Sequence, residues 1–128
     1  MIPRLGGLLG EYPVGGLTRM AAVVTQQVQV HRWRGGQHPT LEKITRQLED
    51  DGLRPYVWAN VPHFRYPPRS HGYFKILYCV EGSLEVVFPE TSQRLVLRPG
   101  DRLDLPKGTR YSCTVGPSGV RCAEASAV

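Results

Sequence analysis

An all-β domain, a barrel or sandwich with one helix on its outside, is the fold class this sequence predicts. Three observations carry that expectation. After Leu53 the chain breaks into seven short segments rich in Val, Leu, Tyr and Phe. Turn chemistry separates the segments, and only one stretch before them has a helical period. Eleven prolines and fourteen glycines among 128 residues suit short strands and tight turns better than long helices. The apolar fraction of 41% is that of an ordinary globular domain. A chain of this length buries about two-thirds of its unfolded surface, enough for one core without disulfides.

Residues 1–25 hold five of the glycines and no sustained period, so they read as a flexible arm, one able to lend a strand to a neighbour. The barrel domain then covers residues 26–128. Residues 26–33 alternate, with Val28 and Val30 between polar neighbours, as a half-buried strand does. The helix follows, with Thr40 as N-cap after Pro39. Leu41, Ile44 and Leu48 form its apolar stripe, Glu42/Arg46 and Arg46/Asp50 are pairs on its wet side, and Gly52 closes it. A stripe that narrow suits a helix lying on a barrel. Strands are expected at 56–61, 73–80, 83–88, 94–97, 102–105, 111–115 and 120–124. The turns between them are Pro67-Pro68, Glu81-Gly82, Pro99-Gly100-Asp101, Pro106-Lys107-Gly108 and Gly116-Pro117-Ser118-Gly119.

Charge and cysteine usage narrow the function classes. The net charge is +5, but no run of Lys/Arg and no nucleic-acid signature exists, so no nucleic-acid partner is expected. No stretch approaches transmembrane length, so no membrane partner is expected either. Cys79, Cys113 and Cys122 are odd in number and lack CxxC spacing, which reads as reduced thiols in a cytoplasm. The segment Leu5-Gly6-Gly7-Leu8-Leu9 is too short and glycine-rich for a signal-peptide core, and Glu11 interrupts it. Nucleophile elbow, phosphate-binding glycine loop and dinucleotide fingerprint are all missing from the sequence.

Between Arg69 and Tyr111 the spacing is specific. Gly100 is followed by five residues, then Pro106-Lys107-Gly108, then two residues and Tyr111. Six residues separate Lys75 from Gly82, and further back lie His71 and Arg69. This resembles the paired motifs of the cupin superfamily, G-x5-H-x-H-x3,4-E-x6-G and G-x5-P-x-G-x2-H-x3-N. The longer run from His38-Pro39-Thr40-Leu41-Glu42 through Gly119-Val120-Arg121-Cys122 is similar to small single-domain bacterial cupins of unassigned function. The resemblance implies a double-stranded β-helix, or jelly-roll barrel, with a pocket inside it. It also implies a homodimer formed through N-terminal strands, and a Fe, Mn, Ni or Zn ion held by three His and a Glu. Cupin activities range from dioxygenases to epimerases and storage proteins, so the fold leaves the reaction open.

Ligand chemistry argues against the metal. Of the four matched positions only His71 offers a lone pair of the ordinary kind. Arg69 stays protonated and repels a cation, Lys75 is cationic at its reference pKa, and Tyr111 alone is a rare ligand. The expectation is therefore no cofactor, with a divalent ion on His71 as the lesser alternative. Alternation places His71, Tyr73, Lys75, Leu77 and Cys79 on one face, Tyr111 with Cys113, and Cys122 with Glu124. Cys79, Cys113 and Glu124 are the candidate rescue ligands; buried thiols acting as small hydrophobes are the plainer account. His63 and Asn60 fall on the pocket rim or on a surface loop, and His31 and His38 receive no role.

The same positions suit an anion. Arg69, His71 and Lys75 make a cationic pocket mouth, with Tyr73, Tyr111 and Trp58 as aromatic walls. The competing account pairs Arg69 and Lys75 with Glu81, Glu85 or Glu124, or lets them reach solvent. A desolvated Lys75 would have a lowered pKa, suiting proton transfer or imine formation. Three functions follow: a metal-free barrel binding a small polar or anionic metabolite; an enzyme, using a rearranged metal site or His71, Lys75 and Tyr111 as acid/base groups; and a dimerisation module with a vestigial pocket.

Overall fold

Alternating apolar residues in the C-terminal two-thirds of the chain fold as antiparallel strands that share one interior. The computed structural model describes residues 28–127, so the arm at 1–25 lies outside the described residues. In order, the elements are β1 (Gln29–His31), α1 (Leu41–Asp50), β2 (Tyr56–Asn60), β3 (Arg65–Arg69), β4 (Phe74–Phe88), β5 (Gln93–Leu97), β6 (Arg102–Leu105) and β7 (Tyr111–Ala127). The hydrogen-bonded order is β1-β6-β4-β7-β2, with β5 on β4 and β3 on β7. The first halves of β4 and the last of β7 lie with β1, β6 and β2; their other halves lie with β5 and β3.

Two expected turns are not turns. Residues 73–80 and 83–88 form the single strand β4, and 111–115 and 120–124 form β7. Glu81-Gly82 and Gly116–Gly119 instead accommodate register shifts in the β4–β7 ladder. Gly82 has φ +76, and a Cβ there would run into the carbonyl oxygen of Gly119. A third expectation also changes, because Pro67-Pro68 lies within β3. β3 pairs on one side only and carries a bulge between Tyr66 and Arg69, the setting in which a strand tolerates proline.

The bulges divide the apolar residues between two cores. Inside the barrel lie Val30, Leu77, Cys79, Leu84, Val86, Leu97, Leu103, Tyr111, Cys113, Val115 and Cys122. Outside, Ile76, Tyr78 and Val80 of β4 and Ala123, Ala125 and Ala127 of β7 meet Ile44 and Leu48 of α1. Three alanines on one face let the helix approach closely. Ile44 and Leu48 have no solvent exposure, worth roughly 1.5–3 kcal/mol each. Thr40 caps α1 by accepting a hydrogen bond from Lys43 N–H at 3.2 Å. The chain leaves the helix through Gly52, at φ +83.

The Gly100-Asp101 turn is built from both of its residues. Asp101 accepts hydrogen bonds from Trp33 N–H and Arg98 N–H, each at 2.9 Å, and pairs with Arg32 at 2.6 Å. A Cβ on Gly100, at φ +94, would strike the Trp33 side chain. Next to this turn a buried charged cluster surrounds Tyr78. Arg102 Nε meets Asp104 Oδ1 at 2.7 Å, His31 Nε2 meets Asp104 Oδ2 at 3.3 Å, and Arg102 Nη1 donates to Tyr78 OH at 3.4 Å. Arg102 and Asp104 are each 1% exposed. Among the described residues, no helix is long and apolar enough to cross a membrane.

Candidate functional site in the barrel mouth

Four strands and one loop bring the site together. β2 supplies Tyr56 and Trp58, β3 supplies Tyr66 and Arg69, β4 supplies Lys75, and β7 supplies Glu124 and Tyr111. The bulge in β3 matters here. Tyr66 and Arg69 are three apart and would face opposite sides of a regular strand, yet both line one cavity of about 290 Å³. His71 and Tyr73 stand in the loop that follows and line the same cavity. That loop is tethered by the Pro106-Lys107-Gly108 turn, where Gly108 N–H donates to the His71 carbonyl at 2.9 Å.

The polar groups form a chain running inward. Trp58 Nε1 donates to Glu124 Oε1 at 2.7 Å, and Glu124 Oε2 pairs with Lys75 Nζ at 3.1 Å. Lys75 Nζ donates to Tyr111 OH at 3.1 Å, and Tyr111 OH lies 2.7 Å from His71 Nε2. Burial alone would lower the Lys75 pKa, but the Glu124 carboxylate and Tyr111 outweigh it and raise it. Lys75 is therefore a held cation, not the neutral amine expected from desolvation, and imine chemistry loses its motive. The His71 pKa moves down, because burial and then the Lys75 and Arg69 charges oppose protonation. Arg69 lies 4.9 Å above the Tyr66 ring and 5.7 Å from that of Tyr111.

Of the six residues expected to bind a ligand, Trp58, Arg69, His71, Tyr73 and Lys75 line this cavity. Tyr111 does not; it is 1% exposed and stands behind the wall formed by His71 and Lys75. Tyr56 and Tyr66 line the cavity and were not anticipated. Tyr66 escapes sequence reading because the bulge reverses its parity, and Asn60 Nδ2 holds its hydroxyl at 2.9 Å. His63 is exposed and lies outside the cavity wall. Glu124, reached through alternation with Cys122, is the partner of Lys75, whereas Glu81 pairs with Arg121 and Glu85 with Arg94.

No protein-family model matches the sequence, and no curated protein does either. Solved structures do match. A DUF861-family protein of Thermotoga maritima superposes with a TM-score of 0.52 at 24% identity, covering 76% of this chain and 96% of its own. A salicylate 1,2-dioxygenase of Pseudoaminobacter salicylatoxidans, solved with gentisate, gives 0.52 at 18% identity over 58% of this chain and 19% of its own. The TDP-quinovose 3,4-ketoisomerase of Campylobacter jejuni gives 0.51 at 18% identity, over 59% of this chain and 62% of its own. These neighbours and the strand order agree with the paired sequence motifs. The chain has the cupin fold.

The cupin metal positions can now be tested on their donor chemistry. Arg69, His71, Lys75 and Tyr111 stand there, two of them cations, and Lys75 is held protonated by Glu124. A divalent ion would meet one imidazole, whose Nε2 is already engaged by Tyr111. The residues present do not fit the metal this fold commonly carries. The proposed rescue ligands do not assemble either: among the described residues, no three His, Cys, Asp or Glu side chains come together as a metal site. The Cys79 and Cys113 thiols are buried and pushed up to about 12, and burial also pushes the Cys122 thiol up, so all three stay protonated.

Proposed function

We infer that this cupin barrel binds a small anionic metabolite in the mouth cavity without a metal, with Arg69 as the anchoring cation. One observation carries the reading. Among the described residues, Lys75 is neutralised by Glu124 while Arg69 has no carboxylate partner, so the cavity keeps one uncompensated positive charge. A half-buried guanidinium flanked by tyrosine rings suits a flat carboxylate, which it engages through two parallel N–H donors. Four aromatic side chains, Tyr56, Trp58, Tyr66 and Tyr73, provide apolar walls. A cavity that remains open beside the packed Tyr111 and Leu77 speaks against a vestigial pocket.

The test is calorimetric titration of metal-analysed protein with benzoate and with uncharged benzamide. Benzoate should bind and benzamide should not, and Arg69→Ala should weaken benzoate by about tenfold or more, as losing a charged hydrogen bond does. A stoichiometric transition metal in protein purified without chelator, or equal binding of acid and amide, would sink the reading.

A second reading, metal-free acid–base catalysis, is favoured by the hydrogen-bonded chain from His71 through Tyr111 and Lys75 to Glu124. As the base, His71 must be neutral with a free lone pair on Nδ1, the tautomer in which Nε2–H donates to Tyr111. Incubating pyruvate with the protein in deuterated water checks it by NMR. Deuterium entering C3 faster than with His71→Asn supports a catalyst; rates equal to that variant leave only binding.

A further inference from the structure

The groups around Tyr111 fix which nitrogen of His71 carries its proton. The phenol oxygen lies 2.7 Å from His71 Nε2 and 3.1 Å from Lys75 Nζ. An ammonium group only donates, and Lys75 is held as ammonium by the Glu124 carboxylate at 3.1 Å. The phenol oxygen therefore accepts from Lys75, and the phenol must place its own proton elsewhere. Among the described residues His71 Nε2 is the acceptor within reach. The reverse arrangement, with Nε2–H donating, leaves the hydroxyl proton of a side chain 1% exposed without an acceptor. A buried polar hydrogen left without an acceptor is costly, so the phenol donates to Nε2.

What remains for a ligand follows from this. With Nε2 accepting, the neutral His71 ring carries its proton on Nδ1, which has no partner among the described residues. Both Glu124 oxygens are already engaged, by Trp58 and by Lys75. The cavity thus offers the Arg69 guanidinium and an imidazole N–H, two donors, beside a Glu124 carboxylate already committed at both oxygens.

We propose that Tyr111 and Lys75 hold His71 as the Nδ1–H tautomer, and that the cavity thereby selects a carboxylate with a carbonyl oxygen beside it, a 2-oxo acid. The proposal rests on the anion-site reading and names its ligand class. Arg69 takes the carboxylate and His71 Nδ1–H takes the neighbouring carbonyl. A 2-hydroxy acid can still accept from Nδ1, but its added O–H proton must then compete with Trp58 and Lys75 for the Glu124 carboxylate. Tyr111 is a positioning residue, acting on the ligand through His71.

The tautomer is read directly by long-range proton–nitrogen correlation on protein carrying labelled histidine, with His71 assigned by its loss in His71→Asn. The wild type should show the Nδ1–H pattern and Tyr111→Phe the Nε2–H pattern. Titration with benzoylformate and mandelate reads the class: benzoylformate should bind about tenfold tighter, the worth of one such hydrogen bond, and Tyr111→Phe should erase most of that preference. An Nε2–H pattern in the wild type overturns the proposal whatever the variant does. Equal affinities with Arg69→Ala weakening both overturn the ligand class and leave the anion site standing. Binding of neither acid overturns both.

Discussion

The barrel holds two charged clusters that share strand β4, and they end differently. Arg102, Asp104 and His31 around Tyr78 form a set in which the charges are paired: the guanidinium makes two bonds to one carboxylate, and that carboxylate also takes the histidine. In the mouth, Lys75, Glu124, Tyr111 and His71 form a comparable chain, but Arg69 lies beside it with no acidic partner among the described residues. A cavity of about 290 Å³ opens at that point. Desolvated charge tolerates no vacancy, so a complete set is evidence of architecture and an incomplete one beside a cavity is evidence of a ligand.

Mutation should separate the two. Asp104→Ala removes the carboxylate that pairs with Arg102, which is 1% exposed, and should cost about 3–5 kcal/mol in urea unfolding. Arg102→Met combined with Asp104→Leu should recover more than half of that loss, because apolar replacement of a whole buried pair is often neutral. A double variant as unstable as the single one would mean that the cluster specifies the fold and is more than tolerated. Lys75→Met in the mouth leaves Glu124, 17% exposed, with the Trp58 N–H and some water. Its cost should be smaller, about 1–3 kcal/mol. Arg69→Met should have the smallest effect, about 0–1 kcal/mol, because the guanidinium makes no ion pair among the described residues and its charge is favoured by Tyr111 and Glu124 against burial, while the anion is lost. A fall as large as that of Asp104→Ala would erase the distinction between the clusters.

The two clusters also differ in how far they were legible. The mouth was readable because its residues sit at motif spacings from Gly82 and Gly100, and alternation carried Lys75 and Glu124 to one side. The cluster around Tyr78 was not. Arg102-Leu103-Asp104-Leu105 reads as a strand with one wet face, and periodicity does not say that this face is buried. His31 received no role for the same reason. The long strands were cut in two because Glu81-Gly82 and Gly116–Gly119 have turn composition, and a bulge uses the same residue types as a turn. Pro67-Pro68 hid β3, and with it the parity that brings Tyr66 into the cavity. The helix and β6 were fully visible, since a capped 3.6-residue stripe and a run bounded by two glycine turns leave little to tertiary context.

Acid gives the finest comparison, because the two clusters lose stability in separate pH windows. Burial and the Lys75 and Arg69 charges hold the His71 pKa below its ordinary 6.5. The unfolded chain therefore takes up a proton as pH falls through about 6.5 while the folded chain does not yet, so stability drops from there downward. Asp104 behaves as a paired carboxylate. Burial would raise its pKa, but the His31 hydrogen bond and the Arg102 charge prevail and lower it from 3.8. Its contribution is complete above that value and is lost as pH falls through the lower folded pKa. The slope of unfolding free energy between pH 7 and 5 should shrink in His71→Asn and persist in Asp104→Ala, while the decline below pH 4 should do the opposite. His71 is only half-buried and solvent screens its neighbours, so its share of the slope is the smaller effect. An unchanged slope in His71→Asn would mean that Arg69 and Lys75 do not oppose its protonation, and the mouth would no longer count as a cationic site.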